Sequence, residues 1–268
     1  MPVYVIVGAS RGLGYQFLKT ISEQDPSNIV IGTARTVEKA QEKVKNDGLK
    51  NVHIVHGDMD DHASLTAAAK KTAEISGGVV DYLIVNGAYF AIPALLNAAD
   101  DYVGKEDLFL DELRQIMHTN VAGTLFAFNA FMPLVLKSSI KRVAAISSAA
   151  ADKNYIFEGE DKISLHYATS KAALNTLVAK FAARYKDDGV LFVSISPGWV
   201  DTHAEDDIPK ELLDKVTEPL YRFDKGLKGP LTPVQSVEKC LKVIDGLKKE
   251  QNGEFLSQHG NKVWLVTK

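Results

Sequence analysis

Short apolar, β-branched runs recur along the chain: VYVIV at 3–7, NIVIGT at 28–33, NVHIVH at 51–56, DYLIV at 81–85, KRVAAIS at 141–147, VLFVSIS at 190–196 and KVWLVT at 262–267. Segments of helical length separate them, at 12–22, 37–46, 63–76, 111–136, 165–185 and 234–247. Runs that are apolar on both faces suit a parallel sheet covered by helices on each side. Right-handed crossovers between such strands predict an α/β chain with a doubly wound sheet, whose ligand crevice lies at the carboxyl ends of the strands. No linker, low-complexity tract or internal repeat interrupts the alternation, so residues 1–268 are expected to form one domain. The mixed, turn-rich segment 202–230 is expected to be a mobile substrate-binding lid.

Composition narrows the partners. The 268 residues are 46% hydrophobic, enough for a large core, and the net charge of -3 leaves no basic excess for nucleic acid. The uncharged run 115–136 is long enough to span a bilayer, but Gln115, His118, Asn120, Asn129 and Pro133 interrupt it, so a buried helix is expected. The opening MPVYVIV lacks a basic n-region, so a soluble cytoplasmic protein without a cleaved signal is expected. The single cysteine, Cys240, reads as a small buried hydrophobe of an amphipathic helix. His53 and His56, three apart in a strand pattern, face opposite sides, and no metal site is expected.

The first candidate chemistry follows the first strand. GASRGLG carries Gly8, Gly12 and Gly14 into a helix, and a tight turn that lets a phosphate approach backbone N–H groups wants residues without Cβ. Gaps of three and one residues mark a variant of the common dinucleotide fingerprint. The second strand ends at Thr33-Ala34-Arg35, with no acid between 26 and 37. An acid there would bind ribose hydroxyls, whereas Arg35, with Arg11 beside it, pairs with a 2′-phosphate and favours NADP over NAD. A solvated surface arginine is the alternative. Asp58, after the third strand, is either an acceptor for an adenine amino group or a helix cap.

The second candidate is SLHYATSKAALN at 164–175. Tyr167 and Lys171, four apart, share a helical face, and an adjacent ammonium favours the phenolate of a group whose ordinary pKa is near 10. Ser147 and Ser148 end the fifth strand where the crevice should open, so one hydroxyl could hold a substrate oxygen. Asn120 falls on or beside an apolar helical face, where its amide needs partners and could hold a proton-relaying water.

GASRGLG, Asn120, the IleSerSer ending at 148, YATSK at 167–171 and PGWVDT at 197–202 occur in the order found in the short-chain dehydrogenase/reductases, and the chain resembles that family from end to end. PGWV, LTPVQSV and GEFLSQHG look most like its carbonyl-reductase branch of C-factor-like and sniffer-like proteins. The resemblance implies a single Rossmann-like domain with a seven-stranded parallel sheet flanked by helices. It implies a tetrad in which Tyr167 donates the proton, Lys171 lowers its pKa and holds the nicotinamide ribose, Ser148 orients the carbonyl and Asn120 holds the relay water. NADP would lie along Gly8, Ser10, Arg11, Gly12, Leu13 and Gly14, then Arg35, Asp58, Met59, Asn86 and Gly87. At the nicotinamide end it would meet Pro197, Gly198, Val200 and Thr202, besides Tyr167 and Lys171.

Two departures stand out. Val85-Asn86-Gly87-Ala88 replaces the family's Asn-Asn-Ala-Gly, and Ser148 and Tyr167 are nineteen positions apart, farther than the family's usual separation. The added residues around DKNYIFEGED are expected to form a loop beside the substrate mouth. The expected activity is NADPH-dependent reduction of a ketone, aldehyde or imine in a small molecule. The pocket would be partly aromatic, through Tyr89, Phe90, Tyr155, Phe157, Trp199 and Tyr221. A cofactor sensor and a non-redox catalyst on the same scaffold are the rival readings, and a homo-oligomer is compatible with the fold.

Overall fold

The computed structural model describes residues 1–202 and 210–265. Strands β1 (Val3–Val7), β2 (Ile29–Ala34), β3 (Val52–His56), β4 (Tyr82–Val85), β5 (Arg142–Ile146), β6 (Leu191–Ser196) and β7 (Phe255–Ser257) build one sheet. Between them run helices α1 (Gly12–Gln24), α2 (Val37–Asn46), α3 (His62–Ser76), α4 (Ile92–Leu95), α5 (Glu106–Met117) and α6 (Gly123–Val135). Helices α7 (Lys153–Glu158), α8 (Leu165–Arg184), α9 (Lys210–Phe223) and α10 (Pro233–Asp245) follow in the second half. All seven strands are parallel, in the order β3-β2-β1-β4-β5-β6-β7. The order reverses between β1 and β4, where Val5 lies opposite Leu83 and Val7 opposite Val85. Connections leave that point toward opposite faces, and a crevice opens at the strands' carboxyl ends.

Both faces of the sheet are buried, which is why the strands read as continuous apolar runs. On one face Val3, Val5, Val7 and Leu83 pack beneath Leu65 of α3, Phe128 and Phe131 of α6, and Val178 of α8. On the other, Ile6, Ile84 and Val193 pack against Phe17, Leu18 and Ile21 of α1 and Val237 and Ile244 of α10. Cys240 is buried on α10 within this second core. Each large side chain so buried contributes about 1.5–3 kcal/mol, so the two cores hold the strand ends in place. No helix among the described residues is long and apolar enough to cross a membrane.

Four elements differ from expectation. The seventh strand is Phe255–Ser257, paired with β6 through Ser194 and Phe255, rather than the run at 262–267. In that run Trp264 is buried by stacking on Phe255, centroids 4.5 Å apart, so its apolar content packs across the sheet's end; residues 266–268 lie outside the described part. The helix expected at 111–136 is broken by a π turn at His118–Ala122. The expected loop after Ala151 contains α7, capped by Asp152, whose Oδ1 accepts from the N–H groups of Asn154 and Tyr155. The expected lid at 202–230 contains α9, while 203–209 lie outside the described residues.

Candidate active site

The glycine loop is held from two sides by three hydrogen bonds. Ala9 N–H donates to the Thr33 carbonyl at 2.8 Å and Gly8 N–H to Thr33 Oγ1 at 3.1 Å, which ties the loop to β2. Asn86 Nδ2 donates to the Gly8 carbonyl at 3.1 Å, which ties it to the end of β4. Gly8 has φ +80°, and a Cβ there would sit 2.5 Å from Gly87 Cα; a Cβ on Gly14 would sit 2.1 Å from the Gly8 carbonyl oxygen. Neither glycine tolerates a side chain. Arg11, the residue before α1, makes no side-chain cap, so among the described residues no capping side chain takes the first N–H groups of that helix, which suits an anion in the crevice.

The crevice encloses about 670 Å³. Along its floor and near wall lie Ser10, Arg11, Gly12, Leu13, Asp58, Met59, Asn86 and Gly87; along its far wall lie Pro197, Gly198, Val200 and Thr202. Gly12 faces Thr202 across the gap, where a Cβ on Gly12 would come within 3.9 Å of Thr202 Cβ. Ser236 Oγ donates to the Pro197 carbonyl at 2.7 Å and Val200 bridges to Leu231, which anchors the far wall on α10. The surface at the β2 end carries Arg11, Arg35 and Lys43. Asp58 also faces the crevice, while the cap of α3 falls to Asp61, which accepts from Ala63 N–H at 2.8 Å. These residues fit a dinucleotide: bare backbone where a pyrophosphate would pass, and three cations where an adenosine phosphate would end. A larger hollow of about 970 Å³ opens at the β3 edge beside His53 and Ile75, and holds none of these groups.

At the other end of the crevice stand Ser148, Tyr167 and Lys171. The hydroxyl of Ser148 stands beside the Tyr167 phenol, and its Oγ accepts from Ala150 N–H at 3.3 Å. Lys171 is buried and donates from Nζ to the Ile146 carbonyl at 2.8 Å; Nζ lies 5.7 Å from the centre of the Tyr167 ring. Burial holds the ammonium of Lys171 down to about 8. Burial also raises the Tyr167 phenol above its ordinary value, and the neighbouring Ser148 hydroxyl partly opposes this. The expected lowering of the phenol by Lys171 is therefore not what dominates here. The ring's edge still reaches the crevice, packed edge-to-face on Phe90.

Ser147 and Ser148 are now distinguished. Ser147 is buried, with its N–H on the Ile195 carbonyl and its hydroxyl without a partner among the described residues, while Ser148 meets the phenol. Asn120 is buried in the π turn, and its amide is occupied: Oδ1 accepts from Tyr89 N–H at 2.7 Å, and Nδ2 donates to the Tyr89 carbonyl at 3.1 Å and to Ser170 Oγ at 3.0 Å. The side chain thus ties the segment after β4 to α8, rather than standing open to a water. Of the expected aromatic lining, Tyr89, Phe90, Tyr155 and Trp199 face the crevice. Phe157 points outward, 82% exposed, and Tyr221 is set behind Trp199, with ring centres 5.5 Å apart. Lys43, Asp161, Val216, Leu220 and Leu265 also line the crevice. Only the charge of Lys43 and Asp161 could have signalled them, and both sit in segments rich in equally charged neighbours.

The chain is similar to known proteins in sequence and in fold. The family model described as short chain dehydrogenase matches residues 2–212. The chain is 39% identical to short chain dehydrogenase virK of Hypocrea virens, over 99% of this chain and all of that protein. It is 40% identical to short-chain dehydrogenase/reductase iacC of Pestalotiopsis fici, again over 99% and 100% of the two. Its fold superposes on NADPH bound carbonyl reductase from chicken fatty liver with a TM-score of 0.75 at 26% identity, covering 97% of this chain and 98% of the other. The carbonyl reductase Sniffer of D. melanogaster shares the fold at a TM-score of 0.73 and 22% identity, with 97% and 98% covered. With its glycine loop, its parallel sheet and the Tyr167–Lys171 pair at the crevice, the chain belongs to the short-chain dehydrogenase/reductases, a family of oxidoreductases that use nicotinamide cofactors.

Proposed function

We propose that the protein is an NADPH-dependent carbonyl reductase, and the observation that carries this reading is the Ser148–Tyr167–Lys171 cluster at the nicotinamide end of the crevice. NADPH, when bound, supplies the hydride. Ser148 orients the substrate's carbonyl oxygen by its hydroxyl, and Tyr167 donates the proton that this oxygen takes up. A phenol kept protonated by burial is ready for that donation. Lys171, held by the Ile146 carbonyl, presents a cation beside the phenol and toward the cofactor's ribose. Asn120 positions this group indirectly, by fixing Tyr89 and Ser170. Helix α9 closes the substrate end through Val216 and Leu220.

Arg35, with Arg11 and Lys43 near it, selects the phosphorylated cofactor in this reading. The NADPH bound to the chicken carbonyl reductase supports the same choice. The test is steady-state oxidation of NADPH and NADH with a panel of ketones and aldehydes. Arg35→Ala is expected to lower kcat/KM for NADPH about tenfold to a hundredfold, the worth of a hydrogen bond to a charged group, while the value for NADH changes little. Equal loss with both cofactors would remove Arg35 from phosphate recognition, and oxidation of neither with any carbonyl would overturn the reductase reading.

A further inference from the structure

Two acids follow one another at the end of α7 and go opposite ways. Glu160 has φ +49° and stays on the surface, where it meets Arg222 Nη1 at 3.2 Å. Asp161 turns back beneath α7, with its N–H on the Ile156 carbonyl at 3.0 Å, and joins the wall of the crevice beside Tyr155 and Leu220. Helix α7 is pressed closely on α9 here, since a Cβ on Gly159 would lie 2.9 Å from the Pro219 carbonyl oxygen. The inward course of Asp161 is therefore set by packing.

No cation among the described residues pairs with the Asp161 carboxylate. Among the described residues its one hydrogen bond comes from Ile163 N–H at 3.3 Å, a long contact, although two carboxylate oxygens offer about four acceptor positions. Burial raises its pKa, as expected for a charge without compensation, and its own field helps to raise that of the Tyr155 phenol. Even partial burial of an acid costs free energy unless something supplies donors to it. The same crevice is lined by Tyr155, Phe90 and Trp199, aromatic side chains that suit a flat ring.

We propose that Asp161 is a specificity-determining residue, and that the substrate is an aromatic ketone or aldehyde carrying a hydroxyl, separate from its carbonyl, that donates to this carboxylate. The inference rests on the carbonyl-reductase reading for the position of the carbonyl at Ser148 and Tyr167. It also excludes a class: a substrate with a carboxylate at the same place meets repulsion from Asp161.

The test uses benzylacetone and its para-hydroxy and para-carboxy derivatives. Two measurements are made on wild type, Asp161→Asn and Asp161→Leu: kcat/KM with NADPH, and equilibrium binding to the enzyme–NADP⁺ complex by titration calorimetry. Wild type is expected to favour the para-hydroxy compound over its parent by about tenfold or more in both measurements, and to bind the para-carboxy compound worst. In Asp161→Leu the hydroxy-to-parent ratio falls to about one, and in Asp161→Asn the para-carboxy compound gains relative to the parent. Turnover of all three ketones with no preference in wild type, or an unchanged ratio in both variants, would overturn the assignment of Asp161 while leaving the reductase reading intact. A binding preference that follows Asp161 with no NADPH oxidation by any ketone would overturn the reductase reading and support the assignment.

Discussion

Burial sets the protonation of the two residues at the centre of the site. Lys171 sits with Nζ on one carbonyl and its stem in protein, and its ammonium is held down to about 8 by desolvation. The folded state therefore gives up this proton near pH 8, whereas an unfolded lysine keeps it to about 10.5. Between those values the unfolded chain binds more protons, so stability attributable to Lys171 rises with pH through that window, by an amount on the order of 3 kcal/mol. Lys171→Met removes the titration. Denaturant unfolding of both proteins at pH 7 and at pH 9.5 is expected to show wild type gaining on the variant at the higher pH; no change in the difference would contradict the burial of a charged Lys171. The phenol does not complicate this comparison, because its unfolded value lies near 10 and its folded value higher.

At the scale of elements, the π turn decides where the site's support lies. One extra residue in the turn His118–Ala122 rotates Asn120 inward, where it holds both backbone groups of Tyr89 and the hydroxyl of Ser170 on α8. Truncating it to alanine leaves these groups without their partner, at a cost of about 1–3 kcal/mol, since a buried donor or acceptor then goes unsatisfied. Asn120→Ala is expected to lower thermal stability by that amount and to reduce kcat more than it changes cofactor affinity; a variant of unchanged stability would show that water replaces the amide at no cost. The turn was not legible in DELRQIMHTNVAGTLFAF, because a single π turn leaves the apolar period nearly intact on both sides. The same limit hid α7: six residues of KNYIFE hold no full amphipathic repeat, and only Asp152 as a cap marked its start.

For the whole molecule, two cores position a crevice to which distant segments each bring a few groups. Six of the seven strands were legible: five are buried along nearly their whole length and so form apolar runs, and the edge strand β3 keeps Val52, Ile54 and Val55 buried although His53 and His56 are exposed. The seventh was not, because Phe255–Ser257 is only three residues long, while the apolar run after it packs by its aromatic ring. That the glycine loop, Ser148, Tyr167 and Lys171 come to one crevice was legible because the loop must let backbones approach closely and the last three follow strand or helix ends that face it. Asp161 and Lys43 were not, since a charged residue in a charged segment carries no sign of which way it faces. All of these line one crevice, and the proposed function makes Tyr167 its acid, so the most direct measurement is NADPH-dependent carbonyl reduction by Tyr167→Phe, alongside the variant's affinity for NADPH. Loss of a positioned acid is expected to lower kcat by about 10²–10⁴-fold, with NADPH binding within about threefold of wild type. A variant that reduces carbonyls within about threefold of the wild-type rate would contradict the account, since the proton would then come from elsewhere.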